Sequence, residues 1–180
     1  MSIQTTPETP LWMGVPVALA VICSFALACG MPFAALGALA TLVFTVRGAF
    51  AVVGLSWVAN QVIGFWFLNF PLDALTLAWG IALGVSALAA VVGARFAARC
   101  LPDINELARY ATVFAAAWMA QQGAIFLASL ALGGTTTAFA ASVVWFIFWT
   151  NALTFVLLLG AQLIGARAGV ARSLQGQVVV

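Results

Sequence analysis

The sequence predicts an all-α integral membrane protein, a compact bundle of six transmembrane helices with both termini on the cytoplasmic side. Three observations predict it. Of 180 residues, 66% are hydrophobic and 6% charged, with a mean hydropathy of +1.19, whereas a soluble domain carries roughly 25% charged residues. The apolar residues fall in runs that suit bilayer-crossing helices, which need about 20 residues each, and short Gly, Pro, Asn and Asp turns separate the runs. With six crossings, Arg47, Arg95, Arg99, Arg109, Arg167 and Arg172 all share one side, and Asp73 is the only charge on the other. The positive-inside rule makes the Arg side cytoplasmic.

The elements follow in chain order. Residues 1–10 are polar, contain Pro7 and Pro10 and lack a positive n-region, so they are expected to be a cytoplasmic tail followed by a retained span rather than a cleaved leader. Span one is Leu11 to Cys29. Gly30-Met31-Pro32 breaks the run, because Gly ends helices and Pro starts them. Phe33 to Val46 is a short second segment, closed by Arg47-Gly48. A third span runs from Ala49 to Phe70 and a fourth from Ala74 to Ala98. The loop from Arg99 to Glu106 offers Asp103 or Asn105 as a cap. Leu107 to Leu132 is the fifth span, Gly133 to Thr137 the turn, and Ala138 to Gly165 the sixth. The transmembrane bundle therefore covers residues 11–166, and 167–180 form a cytoplasmic tail. A re-entrant second segment, with five crossings and the N-terminus outside, distributes the six Arg equally well. Six crossings are preferred because lipid-exposed non-spanning backbone is costly and tilt or thinning accommodates a short span.

Composition excludes several functions. There is no His and no Lys, which removes imidazole ligation of haem or metals and His-based proton relays. Six scattered Arg make no nucleic-acid surface. Every charge sits at a span end or in a loop, so an intramembrane carboxylate or Arg relay is not expected. Nor is enzymatic activity, because no nucleophile has an adjacent base and no pair of intramembrane carboxylates exists.

Amides remain in the apolar interior. Counting 1.5 Å per residue from the cytoplasmic ends puts Asn60, Gln61, Gln121 and Gln122 about 18 Å in and Asn151 about 22 Å in. Helical spacing brings Trp57 near Asn60 and Gln61, Trp118 near Gln121 and Gln122, and Trp145, Phe148 and Trp149 near Asn151. Such amides can be interhelical glue worth about 0.6 kcal/mol each. As a set on three helices they also match a small-molecule pocket, apolar and aromatic with a few convergent polar groups. Asn69, Asp73 and Trp79 would join its outer rim, with Phe70, Thr135 to Thr137 and Met31. No cofactor is implied. Small residues at helical spacing (Ala20, Ser24 and Ala28 in span one; Ala82, Ser86, Ala90, Ala94 and Ala98 in span four) serve close packing inside the chain or docking to a partner subunit. Of three cysteines, Cys29 is the one soft ligand near the pocket for a metal-containing substrate.

Taken together, Pro32-Phe33-Ala34-Ala35-Leu36-Gly37-Ala38 before an Arg-Gly turn, and six hydrophobic segments in 180 residues, resemble the substrate-binding S-components of energy-coupling factor vitamin transporters. The run from Trp57 to Phe65, with Asn69-Phe70-Pro71 and Trp79-Gly80, is most similar to the solitary cobalamin type. The resemblance implies a multi-pass subunit of the inner membrane that binds a vitamin, cobalamin first among them, near the outer face. It also implies docking through the first helix (here Ala20, Ser24 and Ala28) onto a transmembrane coupling subunit driven by ATPases, and a Cys ligand to cobalt, for which Cys29 is available. The other readings are a structural or assembly subunit without a ligand, and a stand-alone facilitator.

Overall fold

The computed structural model describes residues 31–101 and 104–167. Span one, with Ala20, Ser24, Ala28 and Cys29, lies outside the described residues, as do Asp103 and the C-terminal tail. The helices are α1 (Phe33–Val43), α2 (Val46–Val62, extended by a π-helical turn, Ile63–Phe67), α3 (Ala74–Cys100), α4 (Glu106–Leu132), the four-residue α5 (Thr135–Ala138) and α6 (Ala141–Arg167).

Four helices among the described residues are long and apolar enough to cross a membrane: Val46–Phe67, Ala74–Cys100, Glu106–Leu132 and Ala141–Arg167. The chain is thus an all-α multi-pass membrane protein, and the expected six-span bundle is corrected. The second expected segment is α1, whose 11 residues reach about 16 Å at 1.5 Å each, half of a hydrocarbon core of about 30 Å. It ends early because Phe44 turns extended and the Thr45 hydroxyl caps the next helix, accepting from Gly48 N–H at 3.2 Å. Arg47-Gly48, expected as the turn, lies in the first turn of α2.

All eleven residues of α1 are buried, packed with residues of α2, α3, α4 and α6 in one core. A helix that is apolar all round belongs inside protein, and non-spanning backbone is tolerated at membrane depth only there or along a cavity. Its entry is closed by hydrogen bonds: Phe33 N–H donates to Met31 C=O at 2.9 Å and Leu36 N–H to Pro32 C=O at 3.0 Å.

Small residues set the approach of α3 to its neighbours. A Cβ on Gly37 would stand 3.1 Å from Ala90 Cβ, and one on Gly93 would stand 2.6 Å from both Ala116 O and Ala120 Cβ. Ser86, Ala90, Ala94 and Ala98 are buried within the chain and Ala82 is half-buried, so this stripe packs internally. Leu55, Ile81, Val85, Val92, Phe96, Leu153 and Val156 face outward, where bilayer lipid covers them. The helix starts use short polar caps: Asp73 for α3 and Asn105 for α4, whose Oδ1 accepts from Ala108 N–H at 2.8 Å.

Candidate functional site

Two of the five interior amides, Asn151 and Gln61, are tied to backbone. Asn151, fully buried on α6, accepts at Oδ1 from Ala35 N–H at 3.1 Å and donates through Nδ2 to Ile147 C=O at 2.9 Å. It satisfies one of the donors that a helix start leaves open, here at the buried start of α1. At the other end of α1, Arg95 Nη2 donates to Phe44 C=O at 2.9 Å, a cation where the helix dipole favours one. The half-helix is therefore held by α6 at one end and α3 at the other. Neither Ala35 nor Phe44 was a site candidate in the sequence, because both act through backbone.

Trp57 and Gln61 meet a notch in α3. Trp57 Nε1–H donates to Gly80 C=O at 2.9 Å, and Gln61 Nε2 lies 3.5 Å from the same oxygen. A Cβ on Gly84 would be 2.7 Å from the Trp57 ring, and one on Gly80 would be 2.8 Å from Gln61 Oε1. Gly84 is required by this close approach of a rigid ring, whereas a methyl group at Gly80 would meet only the flexible end of Gln61. Asn60, one residue before Gln61, is buried and has a partner of its own.

The outer rim is ordered by turn chemistry. Asn69 takes a left-handed conformation (φ 54°), Phe70 N–H donates to Gly64 C=O at 3.0 Å, and the Phe70 ring covers Gly64 and meets Phe65 edge-on at 6.5 Å. Asp73 caps α3, its carboxylate accepting from Thr76 N–H at 2.8 Å and Thr76 Oγ1–H at 3.1 Å. These bonds, the backbone one first, hold its carboxyl below the usual range. Trp79 stands beside Gly134, whose Cβ would be 3.9 Å from it, so the first turns of α3 and the start of the α4–α6 connection are neighbours.

Between α4 and α6 lies a seam of rings. Phe114 stacks on Phe155 at 5.0 Å, Trp118 meets Phe148 edge-on at 5.4 Å, and Phe148 stacks with Trp145 at 6.2 Å. Trp145 and Trp149 themselves are 62% and 53% exposed, placing them on the outward face rather than around Asn151. The signal for the seam was the i, i+4 spacing of Phe114 and Trp118 and the seven-residue spacing of Phe148 and Phe155.

Gln121 stands one turn along α4 from Trp118 and is 2% exposed, and its Oε1 is buried without a hydrogen-bond partner. Gln122 beside it is half-buried. The ring pairs set an antiparallel register in which Asn151 lies between the levels of Phe114 and Trp118, so Gln121 sits about one turn outward of Asn151. Among the described residues every charge in a span lies toward the Arg-side end, Arg95 being the farthest in along α3. Gln121 thus stands one turn along α4 from an aromatic pair, away from the charged ends of the spans, with an open acceptor. No family model, no curated protein and no solved structure matches this chain.

Proposed function

We propose that this protein is the substrate-binding membrane subunit of a transporter for a small, uncharged molecule. The observation that supports it is Gln121 Oε1, a buried acceptor with no donor, one helical turn along α4 from the Trp118 that meets Phe148. A buried carbonyl left unpaired costs about 1–3 kcal/mol, and native proteins keep few such groups without a use for them. A ligand carrying an N–H or O–H on an apolar or aromatic body would supply the missing donor. An uncharged site suits binding better than ion or proton coupling, so the energy for movement is assigned to partner ATPase subunits and no catalysis to this chain. A vitamin is the ligand class to test first, with cobalamin leading it, as in the S-components that the sequence resembles.

The test is titration of the full-length protein in lipid nanodiscs with a vitamin panel that includes cobalamin. At least one member is expected to bind with micromolar affinity or better, and Gln121→Leu to weaken it about tenfold, equivalent to ~1.4 kcal/mol. A panel in which nothing binds, or a Gln121→Leu protein that binds as tightly as the parent, overturns the reading. Growth rescue of an auxotroph for the bound vitamin, with and without the energy-coupling subunits, then separates a binding subunit from a stand-alone facilitator.

A further inference from the structure

We propose that α6 is a hinged wall of the bundle, which swings to open the aromatic seam with α4 while α1 to α4 keep their packing. The two sides of α4 differ in kind. Toward α3 the backbones interlock at Gly93, with no room for a methyl group against Ala116 and Ala120. Toward α6 the contact runs through rings, Phe114 on Phe155 and Trp118 on Phe148, which keep the backbones apart and can slide without breaking a knob-and-notch fit. Burial tells the same difference. Of 27 residues in each helix, α3 buries eight, α4 four and α6 three: Asn151, Phe155 and Gln162.

A hinge and a latch complete the device. The connection from α4 starts with Gly133 (φ 83°) and Gly134 (φ 88°), consecutive residues in conformations that only glycine adopts freely, and a Cβ at Gly133 would touch nothing within 4 Å. Element-terminal residues of this kind absorb the backbone rotation of a hinged motion. The latch is Asn151, about half-way along α6, on Ala35 N–H. Swinging α6 outward breaks this bond, leaves a buried N–H at the start of α1 and uncovers the face of α1 that packs against α6, all of which favour the closed state. The ring series Trp145, Phe148 and Trp118 runs from the bilayer-facing surface into the seam, offering an apolar ligand a path from the outer leaflet. The movement stands independently of the binding reading above, and only what passes through the seam rests on it.

Spin-label distance measurements test the hinge in the full-length protein, with its native cysteines replaced by Ser and reconstituted in nanodiscs. One label pair joins Val92 on α3 to Val156 on α6, and a control pair joins Val92 to Met119 on α4, all exposed positions. In Asn151→Leu the α3–α6 distribution is expected to broaden and gain a longer component, while the α3–α4 distribution keeps its parent shape. Asn151→Asp, which retains an acceptor for Ala35, is expected to stay closed. Asn151→Ser, too short to reach Ala35, serves the same arm where Asn151→Leu does not fold. An unchanged α3–α6 distribution in the latch variants, or an α3–α4 distance that changes with it, overturns the proposal.

Discussion

The guanidinium of Arg95 donates from Nη2 to the carbonyl of Phe44 at 2.9 Å, across the contact between α3 and the end of α1. That carbonyl closes a helix too short to reach the opposite interface, so its end group needs a partner at partial depth. Arg95 supplies one with charge of the sign the helix end favours. Replacing Arg95 by Met keeps much of the packing and removes the bond. Hydrogen bonds to charged groups contribute about 1.5–3 kcal/mol, so Arg95→Met is expected to lower stability by about that amount. Arg95→Lys, which keeps a donor and the charge, should lose less. Thermal or denaturant unfolding of the three proteins in one detergent checks the order, and Met equal to Lys would contradict it.

Two glycines on neighbouring helices give opposite outcomes for the same substitution. Gly93→Ala forces a methyl group to 2.6 Å from Ala116 O and Ala120 Cβ, whereas Gly123 has nothing within 4 Å of its Cβ position. Overpacking at a helix crossing costs about 1–3 kcal/mol, while Gly→Ala in an open helical position gains roughly 0.5–1 kcal/mol from reduced backbone entropy. Gly93→Ala should therefore lower the melting temperature and Gly123→Ala leave it equal or higher. A shared direction of change would sink the close-crossing account of α3 and α4.

The single bond from Trp57 to α3 is separable from its packing. Trp57→Phe retains a ring over Gly84 and removes the N–H that reaches Gly80 C=O at 2.9 Å. A neutral hydrogen bond contributes about 0.5–1.5 kcal/mol, and that loss is the expected effect on unfolding. Adding Gly84→Ala should cost less in the Trp57→Phe background than in the parent, because the smaller ring frees space. A double-mutant cycle measures this coupling, and strict additivity would show that Trp57 and Gly84 do not share the notch.

Hydropathy made the four long spans legible, with ends displaced by up to three residues, as where Ala49–Phe70 was expected and Val46–Phe67 is found. Ala74 opens α3 and Leu132 closes α4 as expected from Asp73 and Gly133, since caps and glycine breaks are local chemistry. The half-length of α1 was legible as a short segment, but not its burial. Hydropathy reports that a residue avoids water, and lipid and protein interior satisfy that equally. For the same reason Trp145 and Trp149 read like Trp118 in sequence, yet they face outward while Trp118 meets Phe148. Counting depth along straight parallel helices placed the amides together. Which partner each amide finds was not legible from depth: Asn151 holds Ala35 N–H, Gln61 reaches Gly80 C=O, and Gln121 keeps an open acceptor.

At the outer end of α3 the structure sets a pH dependence. Asp73 is exposed, and its bonds to Thr76, first from the backbone N–H and then from the hydroxyl, hold its carboxyl below the usual carboxylate range. A carboxyl whose folded value is lowered stabilises the folded state fully above the unfolded value, and that contribution is lost as pH falls through the lowered one. The start of α3 should thus be equally protected at pH 5 to 7, within the roughly neutral range where the acid stays ionised, and fray on further acidification. Asp73→Asn keeps a capping oxygen but cannot titrate, so its protection should be flat over the same range. Hydrogen exchange at Thr76 and Leu77, taken as the ratio of parent to Asp73→Asn at each pH, isolates the term from the intrinsic pH dependence of exchange. A ratio that stays constant down through the carboxylate range would show that the charge on Asp73 adds nothing to the cap.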